Sequence, residues 1–234
     1  MLALARTRTG EALTEAHRRA QASVGRSLAG RLRRLFTGRS GTTGDTFRRA
    51  AAETQTARRA SERLADRYYR EFRAAEDTAD SFPAYDPPRD ASGLDSPELL
   101  ADLEALEDEF RRDADSVDSG TAIKHALDGG RGVLADHIRR DPRAVGWQRV
   151  AGPGCCAFCA MLAARGAVYE TKWTAGVGRS FHPHCACQVE PVFTRGTLPP
   201  LQSQVYAKAW RELSGSNLNQ FRRELERLRR EGSI

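Results

Sequence analysis

The apolar positions of the chain predict helices in preference to strands. From Thr46 to Phe72 the less polar side chains recur at steps of three and four, which places them on one face of a long helix. They are Phe47, Ala51, Thr54, Ala57, Ser61, Leu64, Tyr68 and Phe72. A face so poor in Leu and Ile removes little apolar area from water when it packs. We therefore expect this helix to dock only weakly, on another chain or on its own neighbours.

Three further stretches on the amino-terminal side have local signals. Residues 1–36 are rich in Ala, Leu and Arg and are predicted to be helical, whereas the Gly, Ser and Thr residues of 37–44 predict a linker or turn. The prolines and aspartates of 81–96 predict an extended connection. A helix is then predicted from the Ser96 cap and Pro97 in the first turn. Its apolar face is formed by Leu99, Leu103, Leu106 and Phe110.

The middle of the chain predicts one weakened helix and two short strands. Helical apolar positions lie on either side of three glycines, which weaken any unbroken helix, and Pro142 marks the end. These apolar positions are Ile123, Leu127, Leu134 and Ile138, and the glycines are Gly129, Gly130 and Gly132. Residues 145–150 and 187–193 alternate in an extended pattern and predict strands that flank the cysteines.

After Pro200 the pattern predicts two C-terminal helices with basic outer faces, separated by residues 214–217. Their apolar faces are Leu201, Val205, Ala209 and Leu213 in the first helix, and Leu218, Phe221, Leu225 and Leu228 in the second. Together these patterns predict a mainly α fold with a small α+β Cys/His core and extended helices at both termini.

The same patterns predict five regions along the chain. They are an Arg-rich helical N-terminal region (1–80), a Pro/Asp-rich linker (81–96), a helical region (97–143), the Cys/His core (144–195) and the C-terminal helices (196–234). No apolar run is long enough to cross a bilayer, and the first ten residues lack the apolar core of a signal peptide. We therefore expect a soluble cytoplasmic chain that does not contact membranes.

The net charge of +6 conceals an uneven distribution along the chain. Residues 1–75 contain 17 basic and 7 acidic side chains, whereas residues 76–120 contain 3 and 15. This arrangement favours contact between the two segments or with a polyanion, and solvated helix faces are the plainer alternative. Lysine occurs only at Lys124, Lys172 and Lys208, so that the basic residues are otherwise arginine. A GC-rich genome or a need for phosphate-binding guanidinium groups explains that bias equally well.

All five cysteines lie between residues 155 and 187. An odd number of clustered cysteines without an export signal favours a reduced metal site over a disulfide framework. Zinc prefers four soft or borderline ligands, and paired ligands reduce the ordering cost. The predicted ligands are Cys156, Cys159, His182 and Cys185, with Cys187 as a substitute or a neighbouring thiol. Four protein ligands would make the zinc structural.

Two alternatives to a structural metal site stay open. The cysteines could be reduced and packed without metal, or one could act as a thiolate nucleophile with His182 or His184 as its base. An open metal position that activates water is the other catalytic form. The sequence shows no oxyanion partner and lacks the deaminase signature, so we assign no catalytic residue. Glu170 and Glu190 lie near the cluster, and exposed, solvated glutamates are the expectation for both.

The motif Cys156-x-x-Cys159, followed by His182-Pro-His-Cys185-Ala-Cys187 and then by 188–191, resembles the Mu F-like head morphogenesis family of tailed bacteriophages. The resemblance covers about residues 145–194. The commoner form of the family has a polar residue after the proline and a basic residue between the last two cysteines, where this chain has His184 and Ala186.

The resemblance implies a minor capsid protein, present in few copies inside the procapsid near the portal. It implies portal and capsid or scaffold proteins as partners, contact with packaged DNA, and a role in head assembly or in DNA packaging and ejection. Its location would be the capsid interior of the virion, and the host cytoplasm during assembly. Relatives in phages of actinobacteria are often labelled capsid maturation proteases, which gives the main alternative. A nonspecific DNA-binding accessory protein is the third.

Overall fold

The structure is a computed structural model. It describes residues 7–37, 43–76, 83, 119–152, 154–166, 181–213 and 217–234. The helix predicted from Ser96, most of the predicted linker over 81–96 and the boundaries at residues 80 and 96 lie outside the described residues. Within the described part, no helix combines the length and the apolar character needed to cross a membrane.

Three long helices form the larger part of the fold. They are α1 (Arg8–Thr37), α2 (Thr43–Ala75) and α3 (Gly120–Arg140), and α2 packs against both others. The helix predicted over 46–72 is confirmed as α2, and the helix predicted over 1–36 is confirmed as α1 from residue 8 onward, while residues 1–6 lie outside the described residues. The face predicted for α2 is largely buried, although Phe47 and Leu64 are only half-buried.

The structure shows that α2 docks on its own neighbours, α1 and α3, while the expected weakness of that docking stays a prediction. The small side chains of α2 bring the helices close together. At one end of the bundle Ala50, Ala51 and Ala57 pack with Ala122 and Ala126 of α3 and with three large apolar side chains of α1. Those three are Leu28, Leu32 and Phe36. Close packing of many small contacts compensates for the small area of each side chain.

The glycines of α3 do not interrupt it, contrary to the weakening expected from the sequence. The helix is continuous over Gly129 and Gly130 because α2 passes directly over them. Ser61 of α2 donates a hydrogen bond to Gln21 of α1 (2.7 Å) and accepts one from the Gly130 amide (3.2 Å). Gln21 also donates to the Ser61 carbonyl at 3.0 Å. The lost helix propensity of glycine is therefore offset by a buried junction of three helices.

This junction predicts opposite effects for two neighbouring glycines. A Cβ atom at Gly130 would lie 2.5 Å from Ser61 Oγ and 2.8 Å from the Ser61 carbonyl oxygen, whereas at Gly132 nothing lies within 4 Å. We expect Gly130→Ala to lower the free energy of unfolding by about 1–3 kcal/mol through overpacking. Gly132→Ala should raise it by up to about 1 kcal/mol through helix propensity. Urea unfolding of both variants measures the difference, and equal stabilisation would show that α2 does not approach α3 so closely.

The remaining elements form the small α+β part. Strand β1 (Gly146–Val150) pairs antiparallel with β2 (Gln188–Val192), with Gly146 opposite Val192 and Val150 opposite Gln188. Helix α4 (Ala157–Ala164) follows β1. The chain ends in α5 (Leu201–Glu212) and α6 (Leu218–Arg230). The mainly α fold with a small α+β core is thus confirmed, as are both predicted strands and both C-terminal helices.

One core joins the small part to the long helices. Trp147 of β1, Tyr69 of α2, Leu134 of α3, Tyr206 of α5 and Phe221 of α6 are buried in it together with three of the cysteines. The face predicted for α5 is rotated in the structure. Its buried residues are Ser203, Tyr206 and Ala209, whereas Leu201 is 69% exposed.

Candidate metal centre

The first half of the candidate site is the start of α4. Cys156 precedes the helix in an extended conformation and caps it, because its sulfur accepts a hydrogen bond from the Cys159 amide at 3.4 Å. Cys159 lies in the first turn of the helix. The hydrogen bond from the Cys159 amide fixes the position of the Cys156 sulfur at the start of the helix. The capping position therefore prepares a sulfur for metal binding.

The second half is the loop of residues 181–187, which leads into β2. The Cys185 amide donates to the His182 carbonyl (3.0 Å), and His184 takes a left-handed conformation with φ 61°. This turn is held against α3, since a Cβ atom at Gly120 would lie 2.4 Å from the His184 ring. Because β1 ends at Val150 and β2 begins at Gln188, strand pairing brings the two halves together.

The donor atoms meet across this gap. His182 Nε2 lies 3.1 Å from the Cys156 sulfur and 3.2 Å from the Cys159 sulfur. The Cys159 and Cys185 sulfurs are 3.5 Å apart. Two groups of possible ligands result, Cys156 with Cys159 and His182, and Cys159 with Cys185 and Cys187, each within 4.8 Å. Cys159 belongs to both groups. These Cys and His side chains can hold a metal ion.

Three of the donor–donor distances lie near those of a tetrahedral zinc ion. With zinc–sulfur bonds of about 2.3 Å and zinc–nitrogen bonds of about 2.0–2.1 Å, tetrahedral angles place two sulfurs about 3.8 Å apart and a sulfur and a nitrogen about 3.6 Å apart. The observed sulfur–sulfur distance is 3.5 Å, and the sulfur–nitrogen distances are 3.1 and 3.2 Å. The four predicted ligands do not all lie within 4.8 Å of one another, because Cys185 belongs only to the second group. A tetrahedral ion bound by all four would therefore also draw the Cys185 sulfur toward Cys156 and His182.

His182 has the ring orientation that a metal ligand needs. Its Nδ1 lies 2.6 Å from the Pro183 carbonyl oxygen, which can only accept a hydrogen bond. Nδ1 therefore carries the proton, and the lone pair of Nε2 points toward the sulfurs. A backbone carbonyl that fixes the second ring nitrogen is the usual companion of a zinc-binding histidine.

The sulfurs differ in exposure. Cys156 is exposed, whereas Cys159, Cys185 and Cys187 are buried. The pKa of the Cys185 thiol lies well below its ordinary value because the Cys159 and Cys187 thiols donate hydrogen bonds to its sulfur, with a further contribution from the Arg131 charge. One negative charge is thus already favoured among three closely spaced sulfurs. A divalent cation would extend this preference to the neighbouring thiols.

Arg131 is a supporting residue that the sequence reasoning missed. It lies in α3 and is 1% exposed. Its Nη2 donates to the Cys185 and Cys187 carbonyls (2.5 and 3.0 Å), and Nε donates to the latter at 3.1 Å. The guanidinium also lies 3.9 Å from the centre of the Phe181 ring, and Arg149 lies 4.1 Å from the same ring. Both arginines therefore hold the 181–187 loop in place through contacts with Phe181, and Arg131 adds hydrogen bonds to its backbone.

The other candidates have different environments. The Cys155 sulfur lies 3.5 Å from the Tyr206 hydroxyl, outside both ligand groups, and burial raises the pKa of its thiol. Glu190 is buried, contrary to the expected solvated side chain, and accepts hydrogen bonds from Thr14 and Gln148, both at 2.5 Å. Glu170 lies outside the described residues.

Two histidines outside the cysteine cluster are buried in the core. His17 is 6% exposed and stacks on Tyr68, and burial lowers its pKa to about 3. His137 is fully buried and lies 2.9 Å from Asp66, and burial lowers its pKa as well. Both rings serve as neutral core residues at ordinary pH.

Comparison with known proteins gives one finding. A family model with the description VG15 protein matches residues 8–213, which is most of the chain and includes every predicted ligand. The searches of curated proteins and of solved structures gave no match.

Proposed function

Because this chain belongs to the VG15 protein family, which is phage-associated, we propose that it is a minor capsid protein of the Mu F-like kind in a tailed bacteriophage. In this proposal the chain acts inside the procapsid near the portal, in head assembly or in DNA packaging and ejection. Portal and capsid or scaffold proteins are its partners. The family indicates a phage-encoded protein, and the Cys/His motif supports the narrower role.

The observation that carries the proposal is that the predicted ligands meet in two overlapping groups that share Cys159. Cys156, Cys159, His182 and Cys185 come from two distant segments, and each lies in contact with another. Zinc held by four protein groups has no open position for substrate, and so it stabilises structure. A zinc-stabilised pair of strands, β1 and β2, on a helical body would supply a rigid anchor to a capsid partner.

A capsid maturation protease is the second candidate, and one contact favours it. The exposed Cys156 sulfur lies 3.1 Å from His182 Nε2, within the range of a nucleophile and its base. The same nitrogen lies 3.2 Å from the buried Cys159 sulfur, which a nucleophile–base pair does not require but a metal site does. The geometry therefore favours metal binding.

Phage heads provide the test of the proposed role. A phage that encodes this chain is prepared in three forms, with the natural sequence, with Cys159→Ser and with Cys155→Ser. Quantitative mass spectrometry of purified heads should find the natural and Cys155→Ser chains in few copies per head. The Cys159→Ser chain should be missing or strongly depleted, because the anchor depends on a sulfur that both ligand groups share. Absence of the natural chain from heads contradicts the proposal.

The same material separates the assembly role from the protease. The purified chain is incubated with its capsid subunit, with Cys156→Ala as the nucleophile variant and Cys155→Ala as the matched control. We expect no cleavage by any of the three forms. Cleavage by the natural and Cys155→Ala chains, but not by a folded Cys156→Ala chain, establishes the enzyme instead.

A further inference from the structure

The outward face of α2 carries a row of exposed arginines. At 3.6 residues per turn, six of them lie within about 100° of one another around the helix axis. They are Arg48, Arg49, Arg59, Arg63, Arg67 and Arg70. The opposite face of the same helix is buried against α1 and α3. The row is therefore held on a rigid support and points away from the body.

Most acidic residues of α2 are engaged elsewhere. Asp45 and Asp66 pair with Arg48 and Arg70, while Glu53 and Glu62 pair with Arg31 and Arg58. Glu71 is the exposed acid near the end of the helix. Among the described residues, Arg49, Arg59, Arg63 and Arg67 form no salt bridge, although the Glu62 carboxylate attracts Arg59 and Arg63 at longer range. We call these four residues the α2 arginine row.

The geometry of the α2 arginine row is linear. Arg59, Arg63 and Arg67 are four residues apart, so that their Cα atoms rise by about 6 Å at each step. From Arg49 to Arg67 the row extends over about 27 Å. Guanidinium groups bind phosphate oxygens through paired N–H donors and keep their charge at any physiological pH. A straight row of such groups fits a straight polyanion with closely spaced charges.

The face lacks what a protein partner would need. Protein interfaces derive most of their affinity from buried aromatic or aliphatic anchors. Besides its arginines, the outward face presents Ala52, Thr56, Ala74 and the exposed Glu71. The large apolar side chains that are exposed in the described structure are Phe158 and Leu201, neither of them on α2. Attraction between charges is therefore the available source of affinity.

We propose that the α2 arginine row binds the phosphate backbone of duplex DNA without reading its sequence. Duplex DNA presents one negative charge about every 1.7 Å along its axis, so that a 27 Å row meets phosphates at any register. The binding rests on charge alone and needs neither the zinc ion nor a capsid partner. A negative result for DNA binding would therefore leave the proposed head-assembly role untouched, and the reverse also holds.

The test uses the full chain and a fluorescein-labelled duplex of arbitrary sequence, with binding followed by anisotropy over a series of salt concentrations. The variant is the triple substitution Arg59→Gln, Arg63→Gln and Arg67→Gln, which preserves helix propensity. The matched control is Arg222→Gln, Arg223→Gln and Arg230→Gln on the exposed side of α6, which removes the same charge. Circular dichroism confirms that all three proteins are folded.

We expect the α2 variant to bind the duplex at least roughly tenfold more weakly at about 0.1 M salt, and the slope of log K against log salt to fall by about 2.7, which is 0.9 for each lost phosphate contact. The α6 control should keep a slope close to that of the natural chain. Equal weakening in both variants would mean a general charge effect and would overturn the proposal. Binding to polyglutamate that needs the α2 row, without binding to the duplex, would show an acidic protein partner and would overturn it as well.

Discussion

Cys159→Ser is expected to abolish zinc binding and to lower the free energy of unfolding by at least about 3 kcal/mol, a fall in Tm of roughly 6–12 °C for a chain of this size. The Cys159 sulfur belongs to both ligand groups, so the result does not depend on whether Cys185 or Cys187 is the fourth ligand. A structural zinc ion contributes its binding energy directly to folding. Loss of the zinc ion should therefore destabilise the start of α4 and the 181–187 loop together.

Elemental analysis and thermal unfolding of the purified chain measure both effects. The natural chain should contain one zinc ion, and a strong chelator should lower its Tm to that of the variant while leaving the variant unchanged. Cys155→Ser is the matched control, because that sulfur lies outside both groups and a serine can keep the hydrogen bond to Tyr206. The zinc assignment fails if the natural chain holds no metal after dialysis against zinc, or if Cys159→Ser holds as much as the control.

The elements that the sequence predicts well are those with a strong local pattern. The steps of three and four in α2 and the alternation in β1 and β2 repeat over a few residues, and each element forms where its pattern lies. The clustering of the Cys and His side chains was predictable for a related reason. Two short Cys/His motifs limit the donors to a few atoms, and the strands on either side of them supply the pairing that brings the motifs together.

The features that the sequence does not predict depend on distant contacts. The sequence alone predicts that Gly130 weakens its helix. In the structure, Ser61 of another helix occupies the space that a side chain at Gly130 would need. The sequence alone predicts an exposed Glu190. In the structure, Thr14 and Gln148 donate hydrogen bonds to its buried carboxylate. Leu201 has the right spacing for the buried face of α5, yet Tyr206 fixes the rotation of that helix through a 3.0 Å hydrogen bond to the Gly152 carbonyl. No local periodicity contains this information.

Arg131 shows most clearly why such positions matter for the site. It is one of 37 basic residues of the chain, and Arg139 of the same helix is 72% exposed. The burial of Arg131 follows from the arrival of the Cys185 and Cys187 carbonyls beside α3. A buried charge without partners is costly, but here two carbonyls, Asp128 and an aromatic ring satisfy it. The Arg131 guanidinium thus joins the 181–187 loop to α3.

Arg131→Met is therefore expected to lower the free energy of unfolding by about 3–5 kcal/mol, because two buried carbonyls and a carboxylate lose their donor. Urea unfolding measures this cost. The same variant should lose zinc to a competing chelator more readily than the natural chain does, since the carbonyls that Arg131 holds belong to the ligand residues themselves. Arg131→Lys should fall between the two, because a single ammonium group cannot reproduce the fork of donors and its stacking on Phe181.

Arg139→Met supplies the matched control for this result, as it removes an arginine from the same helix and the same side-chain type takes its place. The Arg139 side chain is 72% exposed and pairs with Asp136 at the surface. Its loss should change the free energy of unfolding by no more than about 0.5 kcal/mol and leave zinc retention unaltered. If Arg131→Met proved as mild as this control, the guanidinium would not join the ligand loop to α3. Loss of stability with unchanged zinc retention would limit Arg131 to a role in the core.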